Sequence, residues 1–449
     1  MSTASILKGA DRGYKPNREV RRIVAAVSAS SFIEWAGATA VLPLLPVYLR
    51  HEGSSVPLVG MTMAAFFVAA VLVQYPLGRL SDRIGRKKVQ IAGLVVYAAG
   101  SVLFGLDASP LLALLFRFLQ GAGGGIVQVA NAATIGETVP ESWQGRAFGG
   151  LYGAQTVGMA IGPFFGGLLG LSGMRWMFFG AAACSLAAVL PIKAFVPTGG
   201  YGRPPSTTQQ KPPLWRNRSV VGVMIAFVAG GLLIGMYEVC WSLLLVLRGA
   251  QSWQIGLSWT LFALPFAVMA LPAGWLVDRL DRRRLIVLAL MVSAGFAALY
   301  PFLHSVALLV GLGAAEAVAV AIGQPAESAQ LTQAVAPHEL GRAQGAVSSA
   351  QTGATAVAAV LAGTLFGIDP AIPFVLVAAF MVAAAVVIAV LWRKVPGRRV
   401  ITDGDVTGIL GEEMAGLGLA GTTTGEITVG GNVAGSVEQD ERAAGGWAG

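Results

Sequence analysis

The stretch Gly78-Arg-Leu-Ser-Asp-Arg-Ile-Gly-Arg-Lys-Lys88 lies between two long apolar runs. A degenerate copy, Gly274-Trp-Leu-Val-Asp-Arg-Leu-Asp-Arg-Arg-Arg284, follows 196 positions later. The same offset relates Gly145-Arg-Ala147 to Gly341-Arg-Ala343. Self-similarity over about half of an apolar chain is typical of membrane proteins built from two related halves. We therefore expect a duplicated membrane domain.

The composition excludes an ordinary water-soluble domain. Of the 449 residues, 55% are apolar and 12% are charged, and the mean hydropathy is +0.69, whereas about 25% of the residues in a soluble domain are charged. Twelve apolar stretches, numbered here as spans 1 to 12, are long enough to cross about 30 Å of hydrocarbon as helices. They are 23–49, 56–77, 89–106, 110–136, 147–170 and 174–196 in the first half, and 219–247, 253–276, 285–303, 305–333, 343–367 and 370–392 in the second.

The predicted fold class is an all-α integral membrane protein, with twelve transmembrane helices in two pseudo-symmetric six-helix bundles. The bundles are expected at 23–196 and 219–393. A polar, basic arm at 1–22 has no cleavable apolar core, so span 1 is expected to direct membrane insertion. The segment 197–218 contains two Pro-Pro pairs and is expected to be a linker, and 394–449 is expected to be a disordered tail.

The distribution of Lys and Arg predicts the orientation. The predicted outer loops contain only Arg50, Arg175 and Arg248, and nearly all other basic residues lie in the arm, the linker, the tail and the loops between them. The positive-inside rule therefore predicts that both termini lie in the cytoplasm, and insertion directed by span 1 makes the cell membrane the expected location. The net charge of +8 is spread along short loops beside the spans, which favours lipid headgroups over a nucleic-acid partner.

The loop Gly78–Lys88 resembles the signature between helices 2 and 3 of the major facilitator superfamily. The resemblance implies a gate formed by Gly78, Asp82, Arg83, Gly85 and Arg86, in which Asp82 latches against the start of span 11. Alternatively, the basic residues of this loop serve only as topology signals.

The second copy of the loop keeps Asp278 and Arg279, to which the same gating role is assigned with less weight. It has Asp281 where the offset expects Gly85. Because glycine adopts turn conformations that aspartate rarely adopts, we expect the two turns to differ.

Three further stretches resemble signatures of the same superfamily. Span 4 contains Arg117-Phe-Leu-Gln120-Gly121, and span 5 contains Gly158, Gly162, Pro163 and Gly166 in a pattern similar to that of proton-linked exporters. The acid, glycine and two prolines of Glu34-Trp-Ala-Gly37 through Pro43 and Pro46 in span 1 are similar in spacing to helix 1 of twelve-span drug:proton antiporters.

Ionisable residues deep within spans are costly in a membrane and are usually functional. Glu34, Glu238 and Glu316 are the deepest acids, and with Arg117 they are the predicted proton-coupling residues. Glu316 corresponds to Gln120 under the offset, so the second half carries an acid where the first has an amide. The alternatives are a static hydrogen-bonded carboxyl for Glu34 and, for Arg117, a side chain that reaches the membrane interface.

A substrate cavity is expected between the bundles. Aromatic rings and amides suit an amphipathic or cationic molecule, and the predicted lining is Trp35, Asn131, Gln155, Tyr237 and Trp241. The two cysteines and three histidines lack metal-ligand spacing, so we expect no metal site, no catalytic site and no cofactor other than the proton gradient.

The resemblance implies a secondary active exporter, not an enzyme, that exchanges drugs or amphipathic metabolites for protons by alternating access. Its expected partners are a small-molecule substrate, protons and the lipid bilayer, and a monomer is expected. No nucleotide-binding loop of the Gly-x-x-x-x-Gly-Lys-Ser/Thr type is present, so direct ATP drive has no support. A proton-coupled importer of a nutrient is the first alternative, and a membrane receptor or scaffold without transport is the second.

Overall fold

The computed structural model describes residues 17–107, 109–197, 214–336 and 339–393. Most of the predicted arm, most of the linker and all of the tail therefore lie outside the described residues. The same holds for the side chains of several residues within the helices, including Gly78, Asp82 and Arg83 of the first loop.

The described chain forms twelve helical segments in the predicted order. The first six are Arg18–His51 (a helix to Val41, a 3-10 turn over Leu42–Leu44 and a helix from Leu45), Val56–Ile84, Arg86–Leu106, Pro110–Thr138, Glu141–Leu169 and Met174–Phe195. The second six are Arg218–Leu247, Ser252–Val268 with Ala270–Arg279, Arg282–Phe302, Val306–Ala334, Leu340–Ile368 and Ile372–Leu391. Single 3-10 turns lie at Leu171–Gly173 and Leu214–Arg216.

Ten of these segments are long and apolar enough to cross a membrane, and the two helices of span 8 together make an eleventh. The remaining segment is span 5, whose many glycines lower its hydropathy. Span 8 bends by 56° between its two helices. Pro265 lies inside the first helix, and Pro272 follows the break. Because proline removes a backbone donor and crowds the preceding turn, the two prolines account for the bend.

The helix boundaries follow the sequence repeat. Spans 3 and 4, at 86–106 and 110–138, reappear at 282–302 and 306–334, which is the same displacement of 196 residues. Spans 4 and 10 both follow a serine at the N-cap, Ser109 and Ser305. The offset therefore relates structurally equivalent positions in these spans.

The two copies of the loop form different turns. Gly85 has φ of 95°, a left-handed conformation that favours glycine. Asp281 has φ of −68° and caps the next helix by accepting a 2.9 Å hydrogen bond from the Arg283 backbone N–H. The second turn is therefore stabilised by the Asp281 side-chain cap and does not use the left-handed backbone conformation that Gly85 adopts in the first.

The bundles are in close contact near one end of the helices. We call the end that carries Arg18, Arg86 and Arg282 the basic end. Near the opposite end, a Cβ added at Gly60 of span 2 would lie 2.9 Å from Cα of Gly363 in span 11, and one added at Gly167 of span 5 would lie 2.9 Å from Cα of Gly256 in span 8. Only glycine permits such an approach.

Nearer the basic end, the same spans have open space beside their glycines. A Cβ added at Gly149 or Gly153 of span 5, or at Gly345 or Gly353 of span 11, would meet no atom within 4 Å. The bundles therefore approach closely near the opposite end and leave space between them toward the basic end.

Span 5 packs tightly on span 1 through the glycines singled out in the sequence. A Cβ added at Gly158 would lie 2.7 Å from the Phe32 carbonyl oxygen, and one added at Gly162 would lie 2.5 Å from the Ala36 carbonyl oxygen. Gly166 lies against Ala40 in the same way. The helix continues through Pro163 to Leu169.

Candidate functional site: a cavity between the bundles

A cavity of about 250 Å³ lies between the two bundles. Spans 1, 2 and 4 form most of its wall, and spans 3, 5, 7 and 11 contribute one residue each, namely Tyr97, Gln155, Glu238 and Thr352. Its polar and aromatic lining consists of Glu34, Trp35, Thr39, Phe66, Phe67, Gln74, Tyr97, Arg117, Gln128, Asn131, Gln155, Glu238 and Thr352.

The cavity extends toward the basic end. Leu42, at the end of the first helix of span 1, lies nearest the opposite end, whereas Gln74 and Asn131 come from the basic halves of spans 2 and 4. The close inter-bundle contacts at Gly60 and Gly167 lie beyond it. The cavity is therefore closed at the opposite end and faces the basic end.

Glu34 lies at the middle of span 1 and is 6% exposed. No hydrogen bond or ion pair holds its carboxylate within the described part of the chain, and the carboxylate lines the cavity. Trp35 and Gln155 line the same cavity. A buried acid without a fixed donor is suited to bind and release a proton when its surroundings change.

Arg117 enters the cavity from span 4 and is held by neighbours of its own bundle. Its Nη1 donates a 3.1 Å hydrogen bond to Oε1 of Gln120, and Gln120 Nε2 donates a 3.0 Å hydrogen bond to Ser101. The guanidinium carbon lies 4.5 Å from the centre of the Phe66 ring. The Nε atom is buried without a partner among the described residues. Arg117 therefore faces the cavity, not the membrane interface.

Glu238 brings a negative charge to the same cavity from the other bundle. It is 8% exposed, and its Oε2 atom has no hydrogen-bond partner in the described chain. Glu238 and Arg117 attract each other electrostatically. The cavity thus contains two carboxylates and one guanidinium contributed by both bundles.

Asn131 belongs to a polar network inside the first bundle. Its Nδ2 donates a 2.9 Å hydrogen bond to Ser31, and its Oδ1 accepts one from Gln90. These bonds connect spans 1, 3 and 4, so Asn131 is fixed in place at the cavity wall.

Tyr237 and Trp241 do not line this cavity, contrary to their predicted grouping with Trp35, Asn131 and Gln155. They line a separate pocket of about 30 Å³ within the second bundle. The reason is helical geometry: successive residues of a helix point about 100° apart, so Tyr237 and Glu238 face different spaces. The other residues of the pocket are Ser258, Trp259, Phe262, Gly313 and Glu316.

Glu316 is held in this second pocket by hydroxyl groups. It is 1% exposed and accepts hydrogen bonds of 2.9 Å from Tyr237 and 2.8 Å from Tyr300. The three predicted coupling acids are therefore not equivalent, because Glu34 and Glu238 share a cavity and Glu316 lies apart.

The predicted gate residues are only partly described. Arg86 Nε donates a 3.0 Å hydrogen bond to Glu137 at the end of span 4, which connects spans 3 and 4 within one bundle. In the second copy, Asp278 lies 4.0 Å from Arg282, and Arg279 stacks 4.2 Å from the centre of the Trp275 ring. The latch of Asp82 against span 11 lies outside the described side chains and stays a prediction.

Several cavity residues were not anticipated from the sequence. Gln74, Gln128, Thr39 and Tyr97 are ordinary polar or aromatic residues without a motif, and only helix rotation and tilt bring them to the cavity. Tyr300, which binds Glu316, lies in the 3-10 turn that ends span 9. No sequence signal identified it.

A model of the Major Facilitator Superfamily matches residues 27–247 and 241–423, which is most of the chain. The chain belongs to the Major Facilitator Superfamily. The predicted fold class is thereby confirmed, and the protein is a multi-pass membrane protein of a transporter family.

Relatives in this superfamily include proteins named for drug resistance. Multidrug resistance protein 2 of Bacillus subtilis is 27% identical over 176 residues, which are 39% of this chain and 44% of that protein. The quinolone resistance protein NorA of Staphylococcus aureus is 26% identical over 159 residues, 35% of this chain and 41% of NorA. The inner membrane transport protein YajR of Escherichia coli is 31% identical over 182 residues, 39% of this chain and 40% of YajR. Each match spans less than half of the relative.

Solved structures share the fold over more than four fifths of the chain. The human organic anion transporter MFSD10 superposes with a TM-score of 0.65 at 20% identity, over 83% of this chain and 100% of that one. A bacterial homologue of the human lysosomal transporter Spinster, solved in an inward-facing, occupied conformation, gives 0.71 at 16% identity, over 86% and 100%. At these identities the likeness shows the fold alone.

Proposed function

We propose that the protein is a secondary active exporter that exchanges drugs or other amphipathic small molecules for protons by alternating access. The observation that carries the proposal is the position of Glu34 and Glu238, whose carboxylates line one inter-bundle cavity from opposite bundles. An exchanger needs a group that gains a proton in one conformation and loses it in another. A buried carboxylate in a cavity between moving bundles meets that requirement.

Arg117 is assigned the role of a mobile partner for these acids. Its charge makes the ionised form of a nearby carboxylate less costly, and its influence falls with distance. When the bundles move relative to each other, the distance between Arg117 on span 4 and Glu238 on span 7 changes. Proton binding by Glu238 is thereby coupled to the conformation.

The basic end is assigned to the cytoplasm of the cell membrane by the positive-inside rule. The described conformation, with its cavity toward the basic end, then loads substrate from the cytoplasm. The names of the drug-resistance relatives and the glycine pattern of span 5 support export as the direction. The loop between spans 2 and 3, with Asp82 and Arg83, is assigned to the gate that closes this end.

Purified protein in proteoliposomes that enclose a pH-sensitive dye tests the proposal. A panel of amphipathic compounds is added outside, and the internal pH is followed. Antiport predicts that an entering substrate drives protons out, so the lumen becomes more alkaline. A proton-coupled importer predicts the opposite sign. A protein that binds compounds but never changes internal pH or accumulates them contradicts transport, and the double variant Glu34→Gln/Glu238→Gln is the matched control.

A further inference from the structure

Two glutamines from different spans meet at the wall of the inter-bundle cavity. Nε2 of Gln74 in span 2 lies 3.4 Å from Oε1 of Gln128 in span 4, and both side chains line the cavity. Each side-chain amide can donate two hydrogen bonds and accept two. A single long hydrogen bond between the two amides therefore leaves donors and acceptors of this pair open to the cavity, whichever amide is the donor.

The repeat indicates that the fold does not depend on this pair. Adding 196 to each position replaces Gln74 with Ala270 and Gln128 with Gln324. Spans 4 and 10 have the same bounds under the offset, so Gln128 and Gln324 are structurally equivalent. Gln324 is exposed and does not belong to the described lining of the cavity. The amide pair is therefore a feature of the cavity in the first half and not of the duplicated bundle.

The wall next to the amide pair is flat. Ala70 lies one helical turn before Gln74, Gly124 lies one turn before Gln128, and Ala70, Gly124 and Gly125 all line the cavity. A Cβ added at Gly125 would lie 2.8 Å from Cα of Ala70, so the backbones of spans 2 and 4 are in close contact here. None of the three has a side chain larger than a methyl group, and their surface suits a planar group.

An aromatic ring lies at the far end of this flat wall. Phe67 precedes Gln74 by two helical turns, so the two side chains lie on the same face of span 2, about 10 Å apart along its axis. The neighbouring Phe66 ring is covered by the guanidinium of Arg117. Phe67 makes only an edge contact with Phe66, with 5.4 Å between the ring centres, among the described aromatic residues. Its ring is therefore available to a ligand that also reaches the amide pair.

The amide pair favours a group that donates and accepts side by side. A cyclic amide, or lactam, holds its N–H and its C=O in a cis arrangement on one edge, which matches an open acceptor and an open donor of the two glutamines. A lactone of the same shape has no N–H and would leave the acceptor unpaired, which is costly once the closed cavity excludes water. Both glutamines are neutral, so this recognition requires no charge on the ligand.

We infer that the cavity binds planar aromatic molecules that carry a lactam edge. The lactam N–H and C=O pair with Gln74 and Gln128, and the ring system lies on the flat wall and extends to Phe67. The inference rests on the proposed function, because it takes this cavity to be the substrate site, and it adds a neutral substrate class to that site.

The test measures equilibrium binding to the full chain in nanodiscs without a gradient. The probe is phenanthridinone, a flat tricyclic lactam, and the comparison is its lactone isostere benzocoumarin, in which oxygen replaces the N–H. Wild type should bind the lactam about tenfold more tightly than the lactone, equivalent to about 1.4 kcal/mol. Gln74→Leu and Gln128→Leu should each bring the two affinities close to each other. Gln324→Leu, at the equivalent position of the second half, should leave the tenfold ratio unchanged.

Phe67→Leu separates the ring contact from recognition of the edge. It should weaken binding of both probes by a similar factor and preserve the ratio. Equal wild-type affinities for the two probes, or a tenfold ratio that persists in Gln128→Leu, would overturn the inference. A protein that prefers the lactam but exchanges no compound for protons would overturn the proposed function alone. A protein that exchanges other amphipathic compounds for protons without preferring the lactam would overturn this inference alone.

Discussion

Arg117 and Glu238 carry opposite charges into one cavity from opposite bundles, and each has a buried polar atom without a partner in the described chain. Removing one of them leaves the other charge less balanced, which is more costly than removing both. We therefore expect Arg117→Gln and Glu238→Gln to lower the melting temperature by less in combination than the sum of their separate effects. Thermal unfolding of the four proteins in detergent measures this coupling, and strict additivity would show that the two charges do not interact.

Glu34→Gln should abolish transport driven by a proton gradient while substrate exchange without a gradient survives. Glutamine keeps the size and polarity of the side chain but does not titrate. The two activities are measured in proteoliposomes as gradient-driven accumulation and as counterflow. Glu19→Gln, at an exposed position of the same helix, is the control and should behave as wild type. Accumulation by Glu34→Gln at the wild-type level would assign coupling to another acid.

The repeat offset predicted the fold because the helices follow the same offset of 196 residues as the sequence motifs. The bounds of spans 3 and 4 recur in spans 9 and 10. It did not predict which acids share a space. Tyr237 and Glu238 are adjacent in sequence and belong to different cavities, since one residue along a helix rotates the side chain by about 100°. Helix rotation depends on packing between spans, which residue type alone does not determine.

The span count shows a second limit. Hydropathy identifies a helix only when its apolar character is high, and span 5 owes its fit against span 1 to small residues such as Gly158 and Gly162. Tight helix packing in a membrane therefore lowers the signal used to find the helix. The apolar stretch 147–170 nevertheless predicted this span from the sequence.

Two glycines of span 5 should respond oppositely to alanine. Alanine is favoured over glycine in a helix by about 1 kcal/mol, and Gly149 has open space, so Gly149→Ala should raise the melting temperature. At Gly162 a Cβ would lie 2.5 Å from the Ala36 carbonyl oxygen, so Gly162→Ala should lower it and impair transport. Thermal unfolding and transport of both variants measure the difference. A gain in stability for Gly162→Ala would show that spans 1 and 5 can separate without cost.

The cap at Asp281 should give the protein a pH-dependent contribution to stability. The Arg283 side chain donates a 2.7 Å hydrogen bond to the Asp281 carboxylate and holds its pKa below the usual value. A group whose pKa is lower in the folded state stabilises that state above its unfolded pKa, about 3.9 for aspartate. The contribution is lost as the pH falls through the folded pKa.

Asparagine caps helices about as well as aspartate but bears no charge, so Asp281→Asn should melt below wild type at pH 7. The difference in melting temperature between wild type and Asp281→Asn should shrink below about pH 4. Asp281→Ala should melt lower than Asp281→Asn at pH 7, because it also loses the helix cap, which contributes about 1 kcal/mol. Melting curves of the three proteins between neutral and acidic pH provide the measurement, and a difference between wild type and Asp281→Asn that stays constant with pH would show that the ion pair contributes nothing.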